Sequence, residues 1–282
     1  MSEPARSETD PGPPEPSRRS ERAAAGLLLL FAVLTFVVRD HWSPVIRLDE
    51  STGARVARWT AAHPVLGEAA WVVSLLGSLP VRTVVIAVLA WFLVTRGHRR
   101  GAVFVVLVTL TGTLLNVAVK SLVDRPRPTM PEPLAVAHGL SYPSGHAMAA
   151  AVTYALVASA FLFSGVVERA PRRSLATGAV TAAVVVTLLV GASRVLLGVH
   201  YVSDVLAGWA LGLAWVLLAT AVFRPWRPIT GAAESNPGRF IPARRDKRHD
   251  AAGHPARRWR SRSRSVYGAR VPQLRNGSSR DA

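Results

Sequence analysis

Long stretches almost free of charge recur along this chain, at residues 23–38, 80–95, 102–119, 146–165, 174–192 and 204–223. Each approaches the ~20 residues that a helix needs to cross a bilayer. In hydrocarbon a backbone must satisfy its own hydrogen bonds, so apolar runs of this length predict helices. Half of the chain is hydrophobic, and the runs account for most of it. The expected fold is therefore all-α: a polytopic membrane protein with six transmembrane helices in a bundle. The first run is slightly short, but Arg22 and Arg39 at its ends can snorkel to the interfaces. It reads as an uncleaved anchor. Residues 40–63 are polar and mixed, and residues 64–79 are apolar but carry Glu68. That segment reads as an interfacial or re-entrant helix.

Charge sets the expected domain layout and orientation. The net charge is +17, yet residues 224–282 hold fifteen Lys and Arg against four Asp and Glu. Residues 1–22 are rich in Pro, Ser, Glu and Arg and are expected to be disordered. Residues 23–223 form the membrane domain, and 224–282 an Arg-rich disordered tail. Arg18, Arg19 and Arg22 precede the first run; Arg96, Arg99 and Arg100 follow the second; Arg169, Arg172 and Arg173 follow the fourth. With six spans these segments and the tail share one side, which the positive-inside rule makes cytoplasmic. Segments 40–79, 120–143 and 193–203 then face outward. The chain has no cysteine, so disulfides, thiolate metal sites and cysteine nucleophiles are excluded.

Three polar clusters fall at the outward ends of these runs. The first is KSLVDRPRP, residues 120–128. The chain has only two lysines, Lys120 and Lys247. Read alone, Lys120 is as well explained as a snorkelling cation. Beside Arg125 and Arg127 it points to an anion site, because guanidinium forks match phosphate oxygens. The second cluster is Pro143-Ser144-Gly145-His146 at the mouth of an apolar helix. Ser144 alone reads as an N-cap. Helix N-termini also bind phosphate, Gly145 permits close approach, and His146 is then placed as an acid or base. The third is SRVLLGVHYVSD, residues 193–204, where His200 and Asp204 at i, i+4 share a face in helical geometry. A carboxylate on one ring nitrogen fixes the tautomer and frees the other. A purely structural His–Asp pair is the competing account.

The three clusters together resemble the type-2 phosphatidic-acid phosphatase superfamily, which also includes the vanadium haloperoxidases. Its patterns K-x6-R-P, P-S-G-H and S-R-x5-H-x3-D stand here as Lys120 with Arg127-Pro128, then Pro143 to His146, then Ser193-Arg194 with His200 and Asp204. The resemblance covers residues 23 to 223. It implies that His200 attacks phosphorus and forms a phosphohistidine, with Asp204 orienting it. His146 protonates the leaving oxygen and later activates water. Lys120, Arg127, Arg194, Ser144 and the Gly145 N–H hold the phosphoryl oxygens. Arg125 lies outside the pattern and has no assigned role.

The expected activity is hydrolysis of a lipid phosphate or diphosphate at the outer membrane face: phosphatidic acid, phosphatidylglycerol phosphate or a polyprenyl diphosphate. Cations and a helix N-terminus supply the charge stabilisation of phosphoryl transfer. No cofactor is implied, and no metal-ligand spacing such as H-E-x-x-H occurs. The alternative is a non-enzymatic transporter of anionic lipids that uses the same phosphate site for binding. A vanadate-dependent peroxidase is set aside for a membrane-embedded chain. The partners expected are the lipid substrate and the membrane, with the basic tail on anionic headgroups rather than on nucleic acid.

Overall fold

The computed structural model describes residues 18–129, 135, 137–163 and 172–225. Among these the secondary structure is helical throughout: α1 Arg18–Arg39, α2 Ser43–Ala61, α3 Pro64–Leu75, α4 Leu79–Thr95, α5 Arg99–Val123, α6 Gly145–Phe163, α7 Arg172–Leu196 and α8 Val202–Phe223. Five of them (α1, α5, α6, α7 and α8) are long and apolar enough to span a bilayer on their own. The sixth candidate is α3 with α4, a pair bent by 42° at a short break, the geometry of a broken span or a re-entrant loop. Segment 64–79, expected to be interfacial or re-entrant, thus contains α3 and the bend that joins it to α4. Pro64 and Pro80 sit in the first turns of α3 and α4, where the missing N–H costs nothing.

One expectation needs correction, and one segment that the sequence left unassigned is helical. The first helix begins at Arg18, so residues 18–22 are helical and not disordered. Residues 1–17 and 226–282, where the remaining disorder was expected, lie outside the described residues. Residues 40–63, read as polar and mixed, contain the 19-residue helix α2. Its buried positions are Asp49, Gly53 and Thr60, a 3.6-residue repeat carried by small and polar side chains. Its apolar residues on that side, Val45, Ile46 and Val56, are only half-buried and too few to make a run.

The bundle is organised around α6, which packs against α7 and α8, while α1 lies along α8. The crossing of α6 with α8 is close. A Cβ at Gly208 would stand 2.7 Å from the Ser144 carbonyl oxygen and 3.1 Å from the Met148 nitrogen. Small residues permit such backbone approach between membrane helices. The Ser144 N–H donates to the Asp204 carbonyl across this crossing at 2.9 Å. The mouths of α6 and α8, which carry His146 and Asp204, are thereby held side by side. The main apolar core lies further along the bundle, where Leu93, Phe104, Val105 and Leu156 are all but inaccessible. Leu29, Trp91, Leu114 and Val222 instead point outward. Large apolar side chains exposed all around a bundle are what a lipid-facing surface requires.

Candidate active site

His200 does not lie on α8. It precedes that helix by two residues, and only 2 % of it is exposed. Its pairing with Asp204 is therefore made by a helix cap and not by a shared helix face. Asp204 stands at the third position of α8 and turns back, so that Oδ2 accepts the Tyr201 N–H at 3.0 Å. The same oxygen faces His200 Nδ1 at 3.3 Å. On the far side of the ring, Arg127 Nη1 meets His200 Nε2 at 3.1 Å. A guanidinium can only donate, so Nε2 accepts and the ring proton sits on Nδ1, toward Asp204. Burial pushes the His200 imidazole down to about 4, against the upward pull of Asp204, and Arg127 and Arg194 lower it further. The ring is neutral at pH 7, with its lone pair directed at cations.

The other residues expected from sequence are placed as follows. Arg127 is half-buried and also donates to the carbonyls of Val199, Gly139 and His138, at 2.8, 2.9 and 3.1 Å. Lys120, in the last turn of α5, donates to the Leu140 carbonyl at 2.7 Å and anchors the loop that leads to α6. Ser144 is fully buried before the first residue of α6, and its Oγ lies 3.5 Å from the Ala147 nitrogen, the geometry of a long N-cap. Gly145 starts the helix, and His146 lines a cavity among α4, α5 and α6. Arg194, near the end of α7, is 7 % exposed; Nη1 donates to Ser74 Oγ at 2.5 Å, and Nε has no hydrogen-bond partner. All eight residues thus gather where α5, α6, α7 and α8 meet their loops.

Sequence reasoning missed the supports beneath them. Arg125, assigned no role, is buried between two carboxylates. Nη1 donates to Asp204 Oδ1 at 2.7 Å and Nη2 to Asp49 Oδ2 at 2.9 Å. Nη1 also reaches Ser203 Oγ at 2.7 Å, and Ser203 Oγ bonds Asp49 in turn. The guanidinium lies over the Tyr201 ring, 4.0 Å from its centre. A buried charge requires paired partners, and here they come from α2, the loop after α5 and α8. Ser74 of α3 is the second omission, since it holds Arg194. Tyr142 is the third. It is inaccessible, stacks on Phe31 of α1, and its hydroxyl meets Thr35 Oγ1 at 2.9 Å. Burial raises the phenol above its ordinary range, so it stays neutral.

Comparison with known proteins decides what this arrangement belongs to. Residues 101–228 match the model of the PAP2 superfamily. That match covers a little under half of the chain. The matched residues include nearly all of α5, the whole of α6 to α8 and every site residue expected from sequence, whereas Asp49 and Ser74 lie before them. A curated relative, phosphatidylglycerophosphatase B of Bacillus subtilis (strain 168), is 41% identical over 103 residues, 36% of this chain. That match spans 48% of the relative's own length. Among solved structures, the chain is similar to a transmembrane PAP2-type phosphatidylglycerolphosphate phosphatase from Bacillus subtilis. The TM-score is 0.63 at 28% identity, over 73% of this chain and 98% of that one. The structural likeness therefore extends beyond the residues matched to the family.

Proposed function

We propose that the chain is an integral-membrane lipid phosphatase that works through a phosphohistidine at His200, with phosphatidylglycerol phosphate as its substrate. The single observation that carries this reading is the oriented imidazole: Nδ1 turned to Asp204, and Nε2 turned to Arg127. Binding an anionic lipid for transport needs cations but no oriented nucleophile. The choice among lipid phosphates is supported by the names of both Bacillus relatives.

In this account the scissile phosphate takes Arg127 away from His200 Nε2 and uncovers the lone pair. Lys120, Arg194, Ser144 and the Gly145 N–H complete the cradle for the equatorial oxygens. Nε2 forms a bond to phosphorus as the bond to the lipid oxygen breaks, and His146 gives that oxygen its proton. Water then attacks the phosphohistidine, His146 takes the water's proton, and inorganic phosphate leaves with His200 restored. The Nδ1 proton stays with Asp204 throughout. The protein's own cations carry the charge stabilisation, so no metal is assigned a step.

The site is assigned to the extracytoplasmic face of a multi-pass cell-membrane protein, with both termini cytoplasmic. The bias of Arg96, Arg99 and Arg100 to the opposite end of α5 supports this orientation. The Arg-rich residues 224–282 are proposed to lie against anionic headgroups.

The test is phosphate release by purified protein in detergent from phosphatidylglycerol phosphate, phosphatidic acid and undecaprenyl diphosphate. Phosphatidylglycerol phosphate should turn over, and His200→Ala should abolish release from every substrate, because no other group can accept the phosphoryl. Tight binding of these lipids with no phosphate released would instead support the transporter.

A further inference from the structure

Arg82 sits in the first turn of α4, inside the α3–α4 crossing, and no carboxylate pairs with it among the described residues. A cation placed within a membrane span is costly and usually marks a pathway or a ligand. Its Nη2 donates to Thr113 Oγ1 of α5 at 3.0 Å, which leaves its other N–H groups to the cavity beside it. That cavity holds about 170 Å³ and is bounded by Arg82, Thr113, Asn116, Thr153 and His146. Thr153 is 1 % exposed, and its hydroxyl has no hydrogen-bond partner. The Asn116 amide donates only to the Met148 sulfur, at 3.4 Å. The wall thus combines an unpaired cation with unspent donors, and His146 stands at its edge. Gly77, at the α3–α4 break, keeps this arrangement close: a Cβ there would lie 2.6 Å from Val190 Cγ1 and 3.1 Å from the His146 carbonyl oxygen.

We propose that this cavity is a second anion subsite, in which Arg82 receives the phosphodiester of the lipid whose terminal phosphate is cleaved at His200. The inference rests on the phosphatase reading above, and it names what selects the substrate. His146, as donor to the leaving oxygen, borders the cavity, so the leaving group enters it. Depth then separates the candidate lipids. Thr113 and Asn116 precede Lys120 on α5 by seven and four residues. At 1.5 Å per residue, they lie about 10 and 6 Å further along the helix, away from its loop end. Phosphatidic acid has no second anion to place there. A polyprenyl diphosphate carries its second phosphorus one bridging oxygen from the first, short of that depth. Phosphatidylglycerol phosphate interposes a glycerol, and its phosphodiester must sit nearer the acyl chains than its terminal phosphate. The setback of Arg82 matches that spacer.

The test is the ratio of kcat/KM for phosphatidylglycerol phosphate to that for phosphatidic acid, with undecaprenyl diphosphate as a third arm. Arg82→Gln should lower this ratio by about 10–100-fold, the scale of one charge-assisted hydrogen-bonded contact. The ratio of undecaprenyl diphosphate to phosphatidic acid should change by less than about threefold, and Arg82→Lys should restore part of the first ratio. Equal losses on all three lipids, or an unchanged ratio, would reduce Arg82 to a strut between α4 and α5. Should Arg82→Gln not fold, Thr113→Val must still lower the ratio, since it releases the guanidinium without removing it; an unchanged ratio there also overturns the subsite. A wild-type protein that releases phosphate from none of the three contradicts the phosphatase reading itself. A fall of both ratios together would place a diphosphate, and not a glycerol-spaced phosphodiester, against Arg82.

Discussion

Two carboxylates share one guanidinium behind His200, and this arrangement governs the residue scale. Asp204 must stay ionised to hold the Nδ1 proton, yet it has no solvent exposure. Arg125 makes that possible, and Asp49 balances the charge that Arg125 brings into the protein. Partner loss from such a network is expensive, because it strands a buried charge. Arg125 touches no phosphate in this account, so its loss should act on the imidazole. With the compensating cation gone, Asp204 pulls the His200 pKa upward. In the wild type the rate of phosphohistidine formation at subsaturating substrate, which reports the free protein, should be unaffected by His200 protonation until about pH 4. In Arg125→Gln this acid limb should move to higher pH, with kcat reduced about 10–100-fold and KM little changed. Arg125→Lys should recover part of the shift. Burst rates across pH provide the measurement, and a pH-independent loss would leave Arg125 a merely structural residue. The same depressed pKa bears on stability. The unfolded histidine binds its proton near 6.5, before the folded one does, so the fold should lose stability as pH falls from about 6.5 to about 4.

At the scale of elements, the spans were legible in the sequence because hydrocarbon demands long uncharged runs, and α5 to α8 are such runs. The helix ends were less so. Arg18 and Arg19 read as part of a polar leader, yet arginines continue a helix as readily as they end one. Helix α2 was illegible for a different reason: its inward face is Asp49, Gly53 and Thr60, and its function is to present a carboxylate. The site divides the same way. Lys120, Arg127, His146, Arg194, His200 and Asp204 could be singled out because their spacings match the patterns of a known family. Arg125 stood two residues from Arg127 and looked like a loop charge; its partner Asp49 is 76 residues away. Only the packing of α2 reveals that the two meet. Basic residues flank the start of α5, and the site lies at its end. A cysteine placed at His138, in the loop after α5, should react in intact cells with an impermeant thiol reagent. One placed at Arg100 should react only after permeabilisation. The reverse pattern would invert every span.

At the scale of the molecule, one end of a lipid-facing bundle gathers cations that a bilayer would otherwise exclude. Helices α1, α2 and α3 precede the residues matched to the PAP2 superfamily, yet they reach that end: α1 through Tyr142, α2 through Asp49 and α3 through Ser74. A phosphatase built this way must pass a phosphoryl group through His200 at that end. Alkaline rapid quench of the purified protein, mixed with phosphatidylglycerol phosphate labelled in its terminal phosphate, tests it most directly. The account predicts a burst of labelled protein that forms before free phosphate and maps to His200. It predicts no label in His200→Ala. Steady phosphate release with no labelled protein at any time, or label on His146 in place of His200, would contradict it.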